Sequence, residues 1–217
     1  MKKSVLITGS TDGIGLETAR MLVSLGHHVL LHGRNPAKLE KVAATLSALP
    51  AGGRIESYVS DLSRLDDVEA LAKAVAAKHA KLDVLINNAG VYRSAERVTR
   101  DRLDVRFAVN TIAPYLITQR LLPLLGASGR IINLSSAAQS TVDPQALAGR
   151  TRLSDGAAYA QSKLALTMWS RHMALSLKDD GPAIIAVNPG SMLGTKMVKE
   201  AFGVAGRDLR IGAEILT

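Results

Sequence analysis

The sequence TGSTDGIG, residues 8–15, follows directly on a short apolar strand predicted over residues 4–8. A helical pattern begins behind it, with Ala19, Leu22 and Val23 on one face. Glycines permit a tight turn and let backbone N–H groups approach a pyrophosphate, whose charge is favoured by the N-terminus of the helix. A strand, a glycine-rich turn and a helix in this order therefore predict a phosphate loop, although the glycines follow the spacing G-x-x-x-G-x-G.

Five more short apolar segments alternate with helical segments along the rest of the chain. The predicted strands cover residues 29–32, 54–59, 82–87, 129–134 and 183–187, and the predicted helices include residues 36–49, 64–78 and a long region over 97–125. This alternation requires a parallel sheet covered by helices on both faces. Right-handed crossovers and a nucleotide loop after the first strand imply the doubly wound Rossmann order 3-2-1-4-5-6. We therefore predict a single α/β domain over residues 1–217.

The end of the second predicted strand bears on the choice of cofactor. Folds that prefer NAD carry an acid about 20 residues past the glycines, which holds the ribose 2′-hydroxyl. No Asp or Glu lies between Leu25 and Glu40, and the strand instead ends in His32-Gly33-Arg34-Asn35. The guanidinium of Arg34 suits a 2′-phosphate, and the alternative is an exposed arginine in a turn. NADP(H) is therefore the preferred cofactor, with NAD(H) as the alternative.

Polar residues follow several of the later strands. Asn87-Asn88-Ala89-Gly90 lies at the end of the fourth predicted strand, where such folds bind ligands, although the same residues are typical of turns. Asp61 either caps the next helix, which we favour, or contacts an adenine ring. Asn110 either satisfies a neighbouring backbone group or reaches into a site. Ser154 or Asp155 is the predicted N-cap of the helix that follows these two residues in the chain.

That helix carries Tyr159 and Lys163, which are four residues apart and so stack on one face, about 6 Å apart along the axis. A free phenol has a pKa near 10, too high for proton exchange at neutral pH. A nearby ammonium favours the phenolate and lowers that pKa. The pair is a candidate for acid–base chemistry, although a tyrosine and a lysine at this spacing also occur by chance.

Composition excludes several classes of protein. The absence of cysteine leaves no disulfide framework and no thiolate metal site, and it suits the cytoplasm. The histidines at 27, 28, 32, 79 and 172 show no zinc-like helical spacing and no acidic companion cluster, so no metal site is expected. No segment approaches the length of a membrane span, so no membrane partner is expected. The net charge of +8 is scattered and only 3% of residues are aromatic, so we expect no nucleic-acid partner.

Six motifs fall in one order along the chain: Thr8-Gly9-x-x-x-Gly13-x-Gly15, Asn87-Asn88-Ala89-Gly90, Asn110, Ser135-Ser136, Tyr159-x-x-x-Lys163 and Pro189-Gly190. This ordered set resembles the short-chain dehydrogenase/reductase family from the first strand to the last residues. Around Tyr159 the sequence is most similar to the branch of retinol-dehydrogenase-like and related bacterial oxidoreductases.

The resemblance implies an NADP-dependent oxidoreductase that transfers a hydride between nicotinamide and a small-molecule carbonyl or alcohol. Tyr159 would exchange a proton with the substrate oxygen, which Ser136 would hold. Lys163 would lower the pKa of the tyrosine and bind the nicotinamide ribose, and Asn110 would anchor a water relay to Lys163. The implied cofactor-binding residues are Gly9, Ser10, Thr11, Asp12, Gly13, Ile14, Gly15, Arg34, Asn35, Asp61, Leu62, Asn88, Ala89, Gly90, Tyr159, Lys163, Pro189 and Gly190.

Two departures from the family pattern and one alternative function remain open. The 22 residues between Ser136 and Tyr159 are more than in many relatives, which implies a reshaped substrate entrance. Relatives usually continue into a seventh strand, so the chain is expected to be a fragment, a trimmed form or a shortened protein. The alternative is a dinucleotide-binding regulatory protein without turnover, against which the retained catalytic set argues. The family resemblance also implies a homodimer or homotetramer through the tyrosine-bearing helix and the helix before it.

Overall fold

The structure, a computed structural model, describes residues 2–50 and 52–217. Within those residues six strands form one parallel sheet in the order β3-β2-β1-β4-β5-β6, which confirms the predicted Rossmann topology. The strands are β1 (Ser4–Ile7), β2 (His28–Gly33), β3 (Ile55–Val59), β4 (Val84–Asn87), β5 (Arg130–Leu134) and β6 (Ala183–Val187).

Helices connect the strands and cover both faces of the sheet. They are α1 (Gly13–Ser24), α2 (Pro36–Ser47), α3 (Leu65–Lys78), α4 (Val105–Phe107), a π-helical turn (Ala108–Ile112), α5 (Ala113–Leu125), α6 (Pro144–Leu147), α7 (Asp155–Leu177), a 3-10 turn (Lys178–Asp180), α8 (Lys196–Phe202) and α9 (Arg210–Glu214). Among the described residues, no helix combines the length and the apolar character needed to cross a bilayer.

Strand β1 lies at the centre of the sheet and shows why the strands read as continuous apolar runs. Val5 and Ile7 point to the layer formed by α1 and α2, whereas Leu6 points to the layer formed by α3 and α5. Successive side chains of a strand face opposite sides, and a parallel sheet is buried on both. The three apolar residues of the first strand therefore contribute to both hydrophobic cores, Leu6 to one and Val5 and Ile7 to the other.

The long helix predicted from residue 97 begins later, at Val105. Val98 and Asp104 form an isolated antiparallel bridge, and the side chain of Asp104 accepts a hydrogen bond from the N–H of Arg106 at 2.9 Å. This N-cap starts the helix, because it satisfies a backbone donor that would otherwise have no partner. The predicted start is therefore wrong by eight residues, whereas the end at Leu125 is confirmed.

The N-caps of two other helices resolve alternatives left by the sequence. Ser154 caps α7 by accepting a hydrogen bond from the N–H of Ala157. The favoured prediction that Asp61 caps α3 is wrong. Arg64 occupies the N-cap position without a side-chain bond, and Asp61 Oδ1 instead accepts from the N–H and the hydroxyl of Ser63, at 3.0 and 2.8 Å. Asp61 therefore shapes the turn before the helix.

Strand β6 is the last strand on its side of the described sheet, as the sequence predicts. Ile185 in that strand is 43% exposed. Helix α9 packs against α1. Leu216, which follows α9 in the chain, is buried with Ile7 in the core on the α1 side. The final residues thus contribute to the core beneath the glycine-rich turn.

A buried ion pair connects the start of α4 to the start of α7. Arg106 is completely buried and donates to Asp104 Oδ2 at 2.6 Å and to Asp155 Oδ1 at 2.9 Å. Asp155 is the first residue of α7, the helix that carries Tyr159, and it also pairs with the exposed Arg97 at 3.0 Å. A buried arginine that loses a partner keeps its desolvation cost. The pair therefore fixes the N-terminus of α7 against α4.

We predict that Asp104→Asn lowers the free energy of unfolding by about 3 kcal/mol, because it leaves the buried guanidinium only partly neutralised. The asparagine retains an acceptor for the cap, so the loss reports mainly on charge. The control is Glu69→Gln, which breaks the exposed Arg120–Glu69 pair and should cost far less. Urea unfolding of both variants gives the comparison. Equal losses would show that Asp155 alone neutralises Arg106.

Candidate functional site

The candidate site lies at the carboxyl ends of the central strands, where the order of the sheet reverses between β1 and β4. The turn between β1 and α1 has positive φ angles at Gly9 (65°) and Gly13 (54°). A Cβ on Gly15 would lie 2.3 Å from Asn88 Nδ2 and 2.4 Å from the carbonyl oxygen of Gly9. Only glycine fits this position, because the turn folds tightly back on the first residues of α1.

Asn88 holds the glycine-rich turn from the β4 side. Its Nδ2 donates to the carbonyl oxygens of Thr8 and Gly9, each at 2.9 Å. In return, the Thr8 hydroxyl accepts from the backbone N–H groups of Asn88 and Ala89, each at 3.1 Å. The motif after β4 is therefore more than a turn signal, since it fixes the conformation of the residues after β1.

His32 holds the same turn from the β2 side, a role that the sequence did not reveal. Its Nδ1 accepts from the N–H of Gly9 at 3.0 Å, so the neutral ring carries its proton on Nε2 and donates it to Ser60 Oγ at 2.9 Å. The ring is 3% exposed, and burial lowers its pKa to about 4. The only sign of this role in the sequence was that a polar residue, His32, lies near the end of β2, where folds that prefer NAD carry an acid.

The residues after β2 place two cations near the turn. Arg34 is exposed, and Asn35 caps α2 by accepting from the N–H of Lys38 at 2.9 Å. The Lys38 ammonium pairs with Asp12, whose carboxylate also accepts from the N–H of Gly13 at 2.8 Å. Lys38 was missed from the sequence, although its place in the first turn of a helix that follows Arg34 was a usable signal.

Asp61 and Leu62 lie beyond β3, beside the same edge of the sheet. The Asp61 carboxylate is used by the turn to Ser63, and the Leu62 side chain is buried in the core on the α3 side. Only the backbone and the remaining carboxylate oxygen of this pair are therefore suited to contact a ligand.

Lys163 is buried, at 4% exposure, and reaches the ends of β4 and β5 from α7. Its Nζ donates to the carbonyl oxygen of Leu134 at 2.6 Å and lies 5.8 Å from the centroid of the Tyr159 ring. A Cβ on Gly90 would lie 3.6 Å from this Nζ and 3.5 Å from Asn110 Oδ1. Burial lowers the pKa of Lys163 to about 8, because the charged form loses its hydration.

Tyr159 is partly buried beside Ser136, and its pKa moves in the opposite direction to that implied by the family resemblance. Burial raises the pKa of the phenol, the Ser136 hydroxyl lowers it as a hydrogen-bonding group, and Tyr92 raises it. Lys163 is not among the groups that shift this pKa, and its ammonium is bonded instead to the carbonyl oxygen of Leu134. The phenol is therefore protonated at neutral pH. The lowering by Lys163 stays a prediction.

Asn110 lies in the π-helical turn before α5, a geometry often found at functional sites. Its Oδ1 accepts from the N–H of Val91 at 2.8 Å, and its Nδ2 donates to the carbonyl of Val91 and to Ser162 Oγ, each at 3.0 Å. The side chain thus satisfies a neighbouring backbone segment, which is one of the two alternatives left by the sequence, and it also borders Gly90. Its part in the site stays a prediction.

The segment after β6 covers the other side of the crevice. Gly190 has a positive φ of 116°, and Pro189 is buried before it. The methyl group of Thr195, the N-cap of α8, lies 3.4 Å from the position that a Cβ on Gly13 would occupy. The glycine-rich turn is therefore bordered by the segment that leads into α8.

Three aromatic rings extend from the site towards α8. The rings of Tyr92 and Tyr159 have centroids 5.1 Å apart, and those of Tyr92 and Phe202 are 5.9 Å apart. The longer segment between Ser136 and Tyr159 is bonded to α7, because Gln161 Oε1 accepts from the N–H of Asp143 at 2.9 Å. Aromatic rings therefore border the site between Tyr159 and α8.

Taken together, the doubly wound sheet and the glycine-rich turn at its switch point define a dinucleotide-binding fold. The family model described as short chain dehydrogenase matches residues 3–203. The chain belongs to this family of oxidoreductases, as the ordered motifs predicted, and it is related to the retinol dehydrogenases.

Relatives of known name support the same assignment. The chain is 34% identical over 207 residues to human polyprenol dehydrogenase, covering 91% of this chain and 62% of that protein. It is 34% identical over 193 residues to human retinol dehydrogenase 13, covering 87% of this chain and 58% of that protein. The chain therefore spans less than two thirds of the length of these relatives.

Solved structures share the fold and contain a dinucleotide. A metagenomic short-chain oxidoreductase in complex with NADP has a TM-score of 0.74 and 32% identity, covering 99% of this chain and 88% of that one. The NADP active-site complex of RhlG from Pseudomonas aeruginosa has a TM-score of 0.77 and 26% identity, covering 98% of this chain and 87% of that one. These similarities support a nicotinamide dinucleotide as the cofactor.

Outside this site, the fold assembles a cluster that the sequence did not predict. His28, Glu56 and His79 offer ligand atoms within 4.8 Å of one another, at the amino end of β2 and β3. The expectation that the histidines have no acidic companion cluster is therefore wrong. The three residues are far apart in the chain, so their spacing carried no signal.

We predict that the His32 contact makes stability pH-dependent. The folded-state pKa of about 4 lies below the ordinary value of 6.5, so the unfolded chain takes up the proton first. Neutral His32 therefore contributes fully to the free energy of unfolding above pH 6.5, and about 3 kcal/mol of this contribution is lost as the pH falls towards 4.

Urea unfolding between pH 7 and pH 4 measures this effect in the wild type and in His32→Asn. The amide retains an acceptor for the N–H of Gly9 but does not titrate, so the pH dependence should flatten in the variant. His172→Asn, at an exposed position of α7, serves as the control. The same slope in all three proteins would be evidence against the role of His32.

Proposed function

We propose that the protein is an NADP-dependent oxidoreductase that transfers a hydride between nicotinamide and a carbonyl or alcohol substrate. The observation that carries this proposal is the arrangement around Gly90. The position that a Cβ on this glycine would occupy lies 3.5 Å from Asn110 Oδ1 and 3.6 Å from Lys163 Nζ. Tyr159 lies beside Lys163 on α7, and Ser136, after the end of β5, lies beside Tyr159. A protein that only binds a dinucleotide has no need of a serine and a tyrosine beside the buried lysine.

The cofactor fits the described residues. The turn over residues 9–15 brings glycines to the N-terminus of α1, and the absence of a side chain at Gly13 suits the approach of a pyrophosphate. The Asp12 carboxylate, which accepts the N–H of Gly13, would have to turn away from it. Arg34, with Lys38 nearby, would hold a 2′-phosphate. Residues 88–90 and Lys163 would border the nicotinamide riboside, together with Pro189 and Gly190. The bound nicotinamide would supply or accept the hydride.

Tyr159 would act as the proton donor when a carbonyl is reduced. Its raised pKa keeps the phenol protonated at neutral pH, and the substrate oxygen gains negative charge as the hydride reaches its carbon. The proton then passes from the phenol to that oxygen and leaves a phenolate. Lys163, with a pKa of about 8, would stabilise this phenolate because the buried ammonium lies near its ring.

Ser136 and Asn110 would support this step in different ways. The Ser136 hydroxyl, beside the phenol, would hydrogen-bond the substrate oxygen and orient it towards the Tyr159 proton. Asn110 fixes the Val91 backbone and Ser162, which follows Tyr159 by three residues on α7. The water relay from Asn110 to Lys163 stays a prediction.

We infer an apolar alcohol or carbonyl as the class of substrate. The relatives named above act, by name, on retinol and polyprenol. In this chain the segment beside the site carries exposed apolar side chains, at Met192 (41%), Phe202 (54%) and Val204 (42%). Apolar groups at a concave site favour an apolar ligand.

We predict that Arg34→Ala weakens NADPH binding by about thirtyfold, the equivalent of about 2 kcal/mol for lost charge-assisted bonds to the phosphate. NADH, which lacks the 2′-phosphate, should bind the variant and the wild type alike. Isothermal titration calorimetry at one ionic strength measures both cofactors. Arg20→Ala, which removes an exposed arginine of α1, is the matched control. Equal losses for NADPH and NADH would contradict a role for Arg34 at the phosphate.

We predict that Tyr159→Phe lowers turnover by about 10²–10⁴-fold while NADPH still binds, because the variant lacks only the acidic proton. The assay follows NADPH oxidation with a panel of aliphatic and aromatic aldehydes and ketones. Tyr115→Phe, which removes a phenol that bonds to Gln119 away from the site, should retain activity. If the wild type binds NADPH but reduces no member of the panel, the result favours the regulatory alternative.

The assembly and the location of the protein are inferred separately. Met168 (57% exposed) and Leu175 (59% exposed) lie seven residues apart on one face of α7, which supports the predicted dimer or tetramer through this helix. The cytoplasmic location and the absence of nucleic-acid and membrane partners stay predictions.

A further inference from the structure

The cluster of His28, Glu56 and His79 lies at the opposite end of the strands from the proposed catalytic residues. His28 is the first residue of β2, Glu56 is the second residue of β3, and His79 follows the last residue of α3. The glycine-rich turn, Tyr159 and Lys163 all lie at the carboxyl ends of the strands. The cluster therefore takes no part in the proposed reaction.

Each of the two imidazoles lies beside a different oxygen of the Glu56 carboxylate, at a distance close to one edge of a tetrahedral metal site. His28 Nε2 lies 3.2 Å from Glu56 Oε1, and His79 Nε2 lies 3.3 Å from Glu56 Oε2. Two ligand atoms that are each bound to one zinc ion at about 2.0–2.1 Å in a tetrahedron lie about 3.3–3.4 Å apart. The ligand atoms of the three residues all lie within 4.8 Å of one another, so a bound ion would draw the two rings together.

His28 is not explained by an ordinary hydrogen bond. Its Nε2 is buried and has no hydrogen-bond partner among the described residues, although the Glu56 carboxylate lies beside it. Burial is the largest influence on this imidazole, and it lowers the pKa of His28. The neutral ring has a lone pair to offer, and neutral imidazole is the form that binds metals. An unpaired buried nitrogen of this kind costs free energy unless something binds to it.

Neighbouring groups orient the carboxylate and leave one side open. The pKa of Tyr58 is raised to about 12, so its hydroxyl keeps its proton. The hydroxyl donates to Glu56 Oε2 at 3.2 Å and lies 3.0 Å from His79 Nε2, a contact that a bound ion would replace. Such bonds to a ligating carboxylate are typical of metal sites. A surface depression lined by Arg54, Glu56, Lys78 and His79 gives solvent access for a fourth ligand.

The cations in this depression oppose a bound metal ion, but they are not fixed. The Arg54 guanidinium lies 2.9 Å from Glu56 Oε1, and its side chain is 73% exposed. An exposed ion pair is a weak one, so the guanidinium is free to rotate into solvent. Lys78 points to the face of Tyr58, with its Nζ 5.6 Å from the ring centroid. Both charges can therefore move away from Glu56 without disturbing the core.

We propose that His28, Glu56 and His79 form a binding site for a divalent transition-metal ion, best fitted by zinc. Two imidazoles and one carboxylate, with one open position, are a ligand set that zinc accepts, whereas magnesium and calcium prefer oxygen ligands alone. The ion joins the edge strand β3 to β2 and to the end of α3. It stabilises this edge of the sheet, because a ligand that binds only the folded state raises the stability.

The test is a calorimetric titration of untagged protein with zinc chloride, together with thermal unfolding. We expect one ion per chain and a midpoint that rises by about 5 °C at a hundredfold excess over the dissociation constant. His28→Gln and His79→Gln should each weaken zinc binding at least about tenfold and abolish the thermal shift. His172→Gln removes an exposed histidine elsewhere and should bind zinc as the wild type does.

Titration of the wild type with cobalt chloride adds a measurement that needs no variant. A visible absorption band of tetrahedral intensity, displaced by zinc, would support a site with two imidazoles and a carboxylate. The proposal is overturned if the wild type binds no stoichiometric zinc, or if both variants, shown by circular dichroism to be folded, bind it with unchanged affinity. A cobalt spectrum of the hydrated octahedral ion would also count against it.

Discussion

The conformation of the glycine-rich turn depends on hydrogen bonds that reach it from both neighbouring strands. The amide of Asn88, after β4, binds the carbonyls of Thr8 and Gly9, and the imidazole of His32, in β2, accepts the N–H of Gly9. His32 and Thr8 are buried and Asn88 is partly buried, so each polar group would lose free energy without its partner. The turn is thereby fixed by the protein itself, and within it the N–H of Gly13 bonds to the Asp12 carboxylate.

The same need to satisfy buried polar groups organises the other half of the crevice. Asn110 joins the backbone of Val91 to Ser162 on α7, and Lys163 reaches the carbonyl of Leu134 at the end of β5. At its N-terminus α7 is held by the buried Arg106. Burial then sets the protonation of the site, since it lowers the pKa of Lys163 and raises that of Tyr159. The two groups enter the proposed reaction as a phenol and a nearby cation.

The two ends of the sheet thus differ in chemistry. The carboxyl ends bring together backbone donors, a phenol and an ammonium, as expected for the ligand crevice of an open parallel sheet. The amino ends of β2 and β3, with the last turn of α3, bring together two imidazoles and a carboxylate around His28. A ligand at the carboxyl ends would take part in the proposed reaction. A metal ion at the amino ends would instead stabilise an edge strand.

The sequence alone determined the strands, their order and the motifs of the crevice, because short apolar runs, glycine turns and helical spacing are local signals. It did not determine where the helix before Asn110 begins or how Asp61 is used, since both depend on bonds made in tertiary structure. The pKa of Tyr159 and the role of His32 follow from burial, which no local pattern reports. His28 and His79 meet only because β2, β3 and α3 pack together. The two residues are about fifty positions apart, so their spacing in the sequence does not predict this contact.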